Sequence, residues 1–540
     1  MINLANKYLL KYKTLLITVI IVSIFSSICD VVSPYILSNF IDSILINKDI
    51  QNLTNFIIIF SSLAILEIIF NYFSNISFAK LQSKSIFDFN VNLIKRTQKL
   101  PLKFFQDNTA SYLTQRINHD AYTIISFLLR NYVNVICNLL LLITIICLLT
   151  KINFILFSIF CISIFIYLII YKTFKKKLKI IAAKNIEIQN KYVSTQEAQF
   201  KNIKFIKINV LYKFLRKKLH QNFDSLFNII IERTKIAYWF STSSKIINHI
   251  FNICIIFIGS ILVINDKMTV GNFIILNSYF KIGFSNIAYF LNLGSEYQEC
   301  LASYERILEI LNYPLLQNGE IKINNISKIK LENVNLEYNK KTILKNFNIC
   351  FEKGNFYLIT GNNGIGKTSL LYLITGIIPP TNGNIYINDT NMKDLNLDYF
   401  RKYYISFLEQ EPTLLNDTIK TNLTTNIKYS KQRFKELIKY VGLNKIFKSN
   451  HNMRTIIDES LTNISGGEKQ KISLVRTFLK DTPVILLDEP LSALDKKSIY
   501  QLKKLLLNAK KDKIIICITH KNGLEDIADK IIDFNKLHFL

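Results

Sequence analysis

The sequence predicts a multi-domain chain: a six-helix α transmembrane domain over residues 1–325, followed by an α/β domain over residues 326–540. Three observations predict it. Six apolar runs of bilayer-spanning length lie before residue 300 and none follows. After about residue 325, short β-prone strings alternate with helical ones. A glycine-rich stretch, GNNGIGKTS at 361–369, then joins a β-prone string to an apolar helical one, in a chain with 15 Gly among 540 residues.

The apolar runs cover roughly 14–41, 54–78, 131–150, 152–171, 246–265 and 268–295. The third and fourth are separated by Lys151 alone. One helix of their combined length would not stay within hydrocarbon, so a hairpin with a very short turn is expected. The first run is too long for a cleavable signal, and no small-residue cleavage site follows it. Connections one to two, three to four and five to six are short and carry few basic residues. The other two are long and rich in Lys and Arg. The positive-inside tendency therefore puts the long loops, the N-terminus and the α/β domain in the cytoplasm of a cell-membrane protein.

Composition agrees. Half of the residues are hydrophobic and the formal net charge is +28. The basic residues crowd beside apolar runs, as in YKTFKKKLK (171–179), which reads as contact with anionic lipid and argues against nucleic acid. The eight cysteines are dispersed without a C-x-x-C, so no disulfide framework or zinc site is indicated. Ile, Asn, Lys and Phe are abundant throughout, so Asn-rich stretches and N-x-[ST] triplets carry little meaning.

In the α/β half, Gly361, Asn362, Asn363, Gly364, Ile365, Gly366, Lys367, Thr368 and Ser369 fit the P-loop spacing. Glycines let successive N–H groups turn inward as an anion nest, and the helix that follows aims its N-terminus at phosphate. Lys367 suits the β/γ-phosphates and the Thr368 hydroxyl suits Mg²⁺. The loop alone leaves ATP and GTP open. PVILLDEP (483–490) is an apolar strand ending in two carboxylates: Asp488 fits a Mg²⁺-binding acid, and Glu489 is placed to polarise water or to serve as a buried structural acid. Between them, NISGGEKQK (463–471) opens a helix at Ser465, Gly466, Gly467 and Glu468, a second anion-receiving terminus or a plain cap.

Together these motifs resemble an ABC transporter. The order is the family's: P-loop, Gln410 in FLEQEP, ISGGE, the DE pair, SALD ending at Asp495, and ITH ending at His520. The resemblance implies ATP with Mg²⁺ as cofactors and Tyr338 stacking on adenine. It implies Gln410 sensing Mg²⁺ and water, Glu489 and His520 in hydrolysis, and Ser465 to Glu468 with Asp495 meeting the nucleotide across a dimer interface. The membrane half is similar to the exporter-type (type IV) fold. LPLKFFQDNTASYLTQRINHD (100–120) and FIKINVLYKF (205–214) resemble its two coupling segments. Pro490 stands where Ala is more usual, and Glu468 where Gln is; neither removes a group that hydrolysis needs.

Polar residues in the spans are costly and often functional. Lys245, Asn248, His249 and Asn252 share one face of the fifth helix, and Asn277 with Lys281 one face of the sixth; Asp30, Glu67 and Asn71 lie on the first two. They are read either as the lining of a substrate cavity (Lys245, His249, Asn252, Asn277 and Lys281) or as interhelical packing, with Lys281 pairing to Glu67 or Asp30. The expectation is an ATP-hydrolysing half-transporter, a homodimer or one half of a heterodimer with a paralogue. It would sit in the lipid bilayer and export a peptide such as a bacteriocin. Lipid or glycolipid flipping, import, or a regulatory role with a degenerate ATPase are the alternatives.

Overall fold

The computed structural model describes all residues except 1, 48–50, 153, 339–340, 426, 444–451, 459–463, 493, 522 and 538–540. The chain divides into two compact units: Met1–Lys99 with Asn108–Tyr313, and Leu100–Asp107 with Pro314–Leu540.

The first unit is helical. Its six long helices are α1 (Lys13–Asn47), α2 (Gln51–Thr97), α3 (Ala121–Ile152), α4 (Phe154–Lys201), α5 (Tyr212–Ile264) and α6 (Val270–Asn312). The apolar runs that include α1 to α5 are long and apolar enough to cross a membrane. α6 is long enough, but Asn272, Asn277 and Lys281 dilute its apolar face. α3 ends at Ile152, one position past Lys151, and α4 begins at Phe154, so the third and fourth apolar runs are separate helices. At 53 residues, α5 extends about 80 Å at 1.5 Å per residue, well over twice the hydrocarbon thickness, so much of it projects beyond the bilayer. The apolar faces of α2 and α5 (Ile58, Ile65, Ile68, Ile253 and Phe257) are exposed, as lipid-facing surfaces are.

Aromatic packing fixes the bundle. Phe160, Tyr167, Tyr279, Phe280 and Phe284 of α4 and α6 form one buried cluster with Phe240, Ile247 and Ile255 of α5. The Tyr167 hydroxyl donates to Ser244 O at 3.0 Å and to Asn248 Oδ1, which ties α4 to α5. Asp42 of α1 caps α6: its carboxylate accepts from Thr269 Oγ1 and Gly271 N, each at 2.7 Å. A Cβ at Gly271 would stand 2.5 Å from that carboxylate, so the approach needs glycine. At the other end of α6, Arg306 forks onto Asp120 (2.9 and 2.5 Å), and Arg116 donates to Glu309 at 2.5 Å. Arg116 to Asp120 form a π-helical turn leading into α3.

The second unit is α/β. A parallel sheet runs in the order β6 (Ile405–Leu408), β7 (Val484–Asp488), β8 (Ile514–Ile518), β3 (Phe356–Thr360), β9 (Lys530–Asp533). β7 and β8 are buried along their whole length, as expected of strands covered on both faces. A second, antiparallel sheet takes the order β2 (Lys341–Glu352), β1 (Lys328–Tyr338), β4 (Asn382–Ile387), β5 (Thr390–Asn391). α7 (Lys367–Ile374) leaves β3 through the glycine loop, and α8 (Gly466–Leu479) precedes β7.

Candidate functional site

Parallel strands deliver their C-terminal ends to one edge of a sheet, and that edge is where this site is built. β3, β7 and β8 are adjacent, with Leu358 paired to Cys517 and Leu487 to Cys517 across their register. The residues just beyond each strand therefore meet. β3 leads into 361–369, β7 ends in Asp488 and is followed by Glu489, and β8 is followed by Thr519 and His520.

The loop has the conformation an anion nest needs. Gly361, Gly364 and Gly366 hold φ of +143°, +79° and +105°. A Cβ at Gly366 would lie 2.4 Å from the Ile343 side chain, so glycine is required there for space as well as torsion. Lys367 is buried, and its Nζ donates to Gly361 O (2.7 Å) and Asn362 O (2.8 Å), folding back over the loop. Burial pulls its pKa below the usual lysine range, while Glu489 and Asp488 hold it up.

The acids gather beside it. Thr368 Oγ1 donates to Asp488 Oδ2 at 2.8 Å. Burial raises the Asp488 pKa, and the Thr368 hydrogen bond opposes that rise. His520 Nε2 lies 2.9 Å from Lys367 Nζ and 3.5 Å from Glu489 Oε1. A hydroxyl and a buried carboxylate side by side, next to a nest of N–H groups and a lysine, form a donor set that fits Mg²⁺ and a polyphosphate together.

Other expected residues stand elsewhere. Gln410 is exposed two positions beyond β6, beside the strand that carries Asp488. The side chain of Tyr338, the last residue of β1, lies outside the described residues. Ser465 caps α8 in a capping box: Ser465 Oγ accepts from Glu468 N (3.3 Å) and Glu468 Oε2 from Ser465 N (2.8 Å). Ser465 and Gly466 are exposed, and among the described residues no atom beyond its chain neighbours and its own helix backbone lies within 4 Å of a Cβ built on Gly466. No hydrogen bond joins that terminus to 361–369 among the described residues. Asp495, at the start of the next helix, stands 3.9 Å from Lys471 of α8.

Gln470 and the backbone of Glu489 were not singled out from sequence. Glu489 adopts φ of +53°, its N–H donates to Ile518 O at 2.9 Å, and Gln470 Nε2 donates to its carbonyl at 2.9 Å and to Ser492 Oγ at 2.9 Å. The glutamine thus links α8 to the turn that aims the carboxylate. Its signal was its position two residues after Glu468, easily read as ordinary helix surface.

In the helical unit, Lys245, His249 and Lys281 are exposed, and Asn252 and Asn277 are half-buried. Asn248 is engaged by Tyr167. No ion pair joins Lys281 to Glu67 or Asp30 among the described residues. A polar cavity of about 520 Å³ does open between α1, α2, α3 and α6, lined by Asp30, Asn71 and Asn286 among others, but by none of those five residues.

A family model described as the ABC transporter transmembrane region matches residues 16–287, and one described as ABC transporter matches residues 344–492. An ABC transporter ATP-binding/permease protein of Haemophilus influenzae is 32% identical over 288 residues, 52% of this chain and 52% of that relative, so the aligned part spans about half its length. An export ATP-binding/permease protein of Rickettsia typhi is 26% identical over 98% of this chain and 93% of its own. The solved structure of a bacterial Atm1-family ABC exporter with ATP bound superposes with a TM-score of 0.86 at 17% identity, covering 97% of this chain and 94% of that one.

Proposed function

Because the chain belongs to the ABC transporters, and its motifs make it an ATP-hydrolysing one, we propose that it is an exporter of the cell membrane working as a dimer by alternating access. The convergence of Lys367, Thr368, Asp488, Glu489 and His520 at one sheet edge carries this reading. The loop N–H groups and Lys367 bind and orient the phosphates. Thr368 and Asp488, with Gln410, would hold Mg²⁺, which supplies charge neutralisation when bound. Glu489 takes up a proton from the attacking water. His520 holds the γ-phosphate end and keeps Glu489 in register.

Each site is completed from a second subunit. The exposed Ser465 terminus, unable to serve its own loop through any described contact, supplies N–H groups to the partner's nucleotide. The partner is a second copy or a paralogous half-transporter. The N-terminus and ATPase domain are cytoplasmic, all six helices cross the bilayer, and the domain boundary is at residue 325. A peptide is the proposed cargo, supported by the mixed polarity of the helical unit; a lipid headgroup would be handled by the same alternating access. The test is ATP-dependent accumulation of candidate peptides in inside-out vesicles. Accumulation that requires ATP and is lost in Glu489→Gln supports export. ATP hydrolysis without accumulation of any peptide, but with transfer of labelled lipid between leaflets, would replace the peptide with a lipid.

A further inference from the structure

The cavity between α1, α2, α3 and α6 is wide enough for more than water. Its volume of about 520 Å³ falls in the range of small-molecule sites and exceeds many times the roughly 30 Å³ of one water. Among the described residues that line it, Asp30 is the one charged group; the rest are mainly serines and asparagines. Asp30 sits in the middle of α1 and forms no ion pair among the described residues. The described lining residues carry no cation, so Asp30 gives the cavity a carboxylate in an otherwise strongly basic chain.

A second observation is independent of that charge. Asn286 of α6 is 5% exposed and lines the cavity, and its Nδ2 has no hydrogen-bond partner among the described residues. A buried amide without an acceptor is disfavoured unless something in the cavity accepts from it. Nearby hydroxyls are already committed: Ser26 Oγ to Asn71 Oδ1 at 2.9 Å, and Ser23 Oγ with Ser74 Oγ at 2.8 Å.

We propose that this cavity binds a primary amine carrying a neighbouring carbonyl, its ammonium on Asp30 and its carbonyl oxygen accepting from Asn286 Nδ2. A peptide N-terminus has that pairing; an aminated lipid headgroup offers the ammonium, with its ester carbonyls farther along. The inference rests on the exporter reading and narrows its cargo to cations. Asp30 is exposed to this polar cavity, and a carboxylate there with no cation among the described lining residues is matched by a cationic ligand.

The full chain in phosphatidylcholine discs, free of nucleotide, is titrated with Nε-dansyl-lysinamide, whose free α-amine neighbours a carbonyl, and with its Nα-acetylated, uncharged form, binding to empty discs being subtracted. The amine is expected to bind at least tenfold more tightly than the acetylated probe. Asp30→Asn should weaken the amine about tenfold and leave the acetylated probe unchanged, whereas Asn286→Leu should weaken both. Equal affinities in the unmodified chain, or a preference for amine that survives Asp30→Asn, would overturn the proposal. If Asp30→Asn does not fold, Asn138→Lys puts a cation into the same cavity and should abolish amine binding; retained binding overturns the proposal equally. A lysine dipeptide amide that displaces the probe identifies a soluble cargo, and displacement by added phosphatidylethanolamine a lipid one. Glu489-dependent ATPase is measured in the same discs. Its absence would defeat the exporter reading, while lost charge discrimination with intact ATPase would defeat only the amine site.

Discussion

Glu489 occupies a left-handed backbone conformation that costs a non-glycine residue about 1–3 kcal/mol, and the turn holds it there through Ile518 and Gln470. The turn sets the carboxylate 3.5 Å from His520 Nε2, which in turn lies 2.9 Å from Lys367 Nζ. Glu489→Gln keeps the shape and removes the base, so turnover is expected to fall by about 10²–10⁴-fold while ATP still binds. Near wild-type steady-state hydrolysis would remove Glu489 from the role. Lys367→Ala should act differently and weaken nucleotide binding itself, read by titration of a fluorescent ATP analogue. A third residue reports on burial. Lys480 donates to Arg401 O at 2.7 Å and Ile405 O at 2.5 Å, and burial lowers its pKa to about 8 from 10.5. Between about pH 8 and 10.5 the folded chain has released this proton and the unfolded chain has not. Lys480 therefore makes stability rise with pH across that window. The melting temperature of wild type relative to Lys480→Met should climb from pH 8 to 10; a flat difference would refute the burial.

At the scale of elements, the two stretches that resemble coupling segments have different surroundings. Leu100–Asp107 groups with the α/β unit, and its Phe104 is buried. The helix Ile203–Ile208 belongs to the helical unit and leaves Phe205, Ile208 and Val210 61, 80 and 69% exposed. Apolar side chains so exposed at a helix end need a partner surface. In a chain freed of native cysteines, cysteines at 107 or 208 paired with one beside Gln410 should crosslink in at least one nucleotide state. Failure across several such pairs would count against the coupling assignment. The stripe on α5 is tested the same way. Cysteines at 245, 249 and 252 should react with a water-soluble thiol reagent faster than those at 247, 251 and 254 if that face lines the pathway. Equal rates would make it packing or lipid surface.

For the whole molecule, the exposed Ser465 terminus is the feature that asks for a second subunit. Pairing a Lys367→Ala chain with a Gly466→Asp chain tests this. Each homodimer lacks one half of both sites and should be inactive. The mixed dimer keeps one loop and one α8 terminus intact across the interface, so ATPase should return to as much as half the wild-type rate per dimer. No recovery in verified mixed dimers would rule out sites shared in this way.

Sequence alone determined what depends on local pattern. Hydrophobic run length fixed the helical half, and the hairpin at Lys151 followed from the thickness of hydrocarbon. The glycine spacing fixed the loop, because few other residues adopt those torsions. An apolar strand ending in two acids pointed to Asp488 and Glu489, and the resemblance to the family's motif order pointed to His520. Tertiary structure decided what depends on which elements become neighbours. It made the site by setting β3, β7 and β8 side by side, and it tied Gln470 to the Glu489 turn. It also formed the polar cavity around Asp30 and Asn286, on helices far apart in sequence, apart from the α5 stripe that helical periodicity had favoured. Periodicity reports which residues share a face of one helix. Only packing decides whether that face meets a cavity, another helix or lipid.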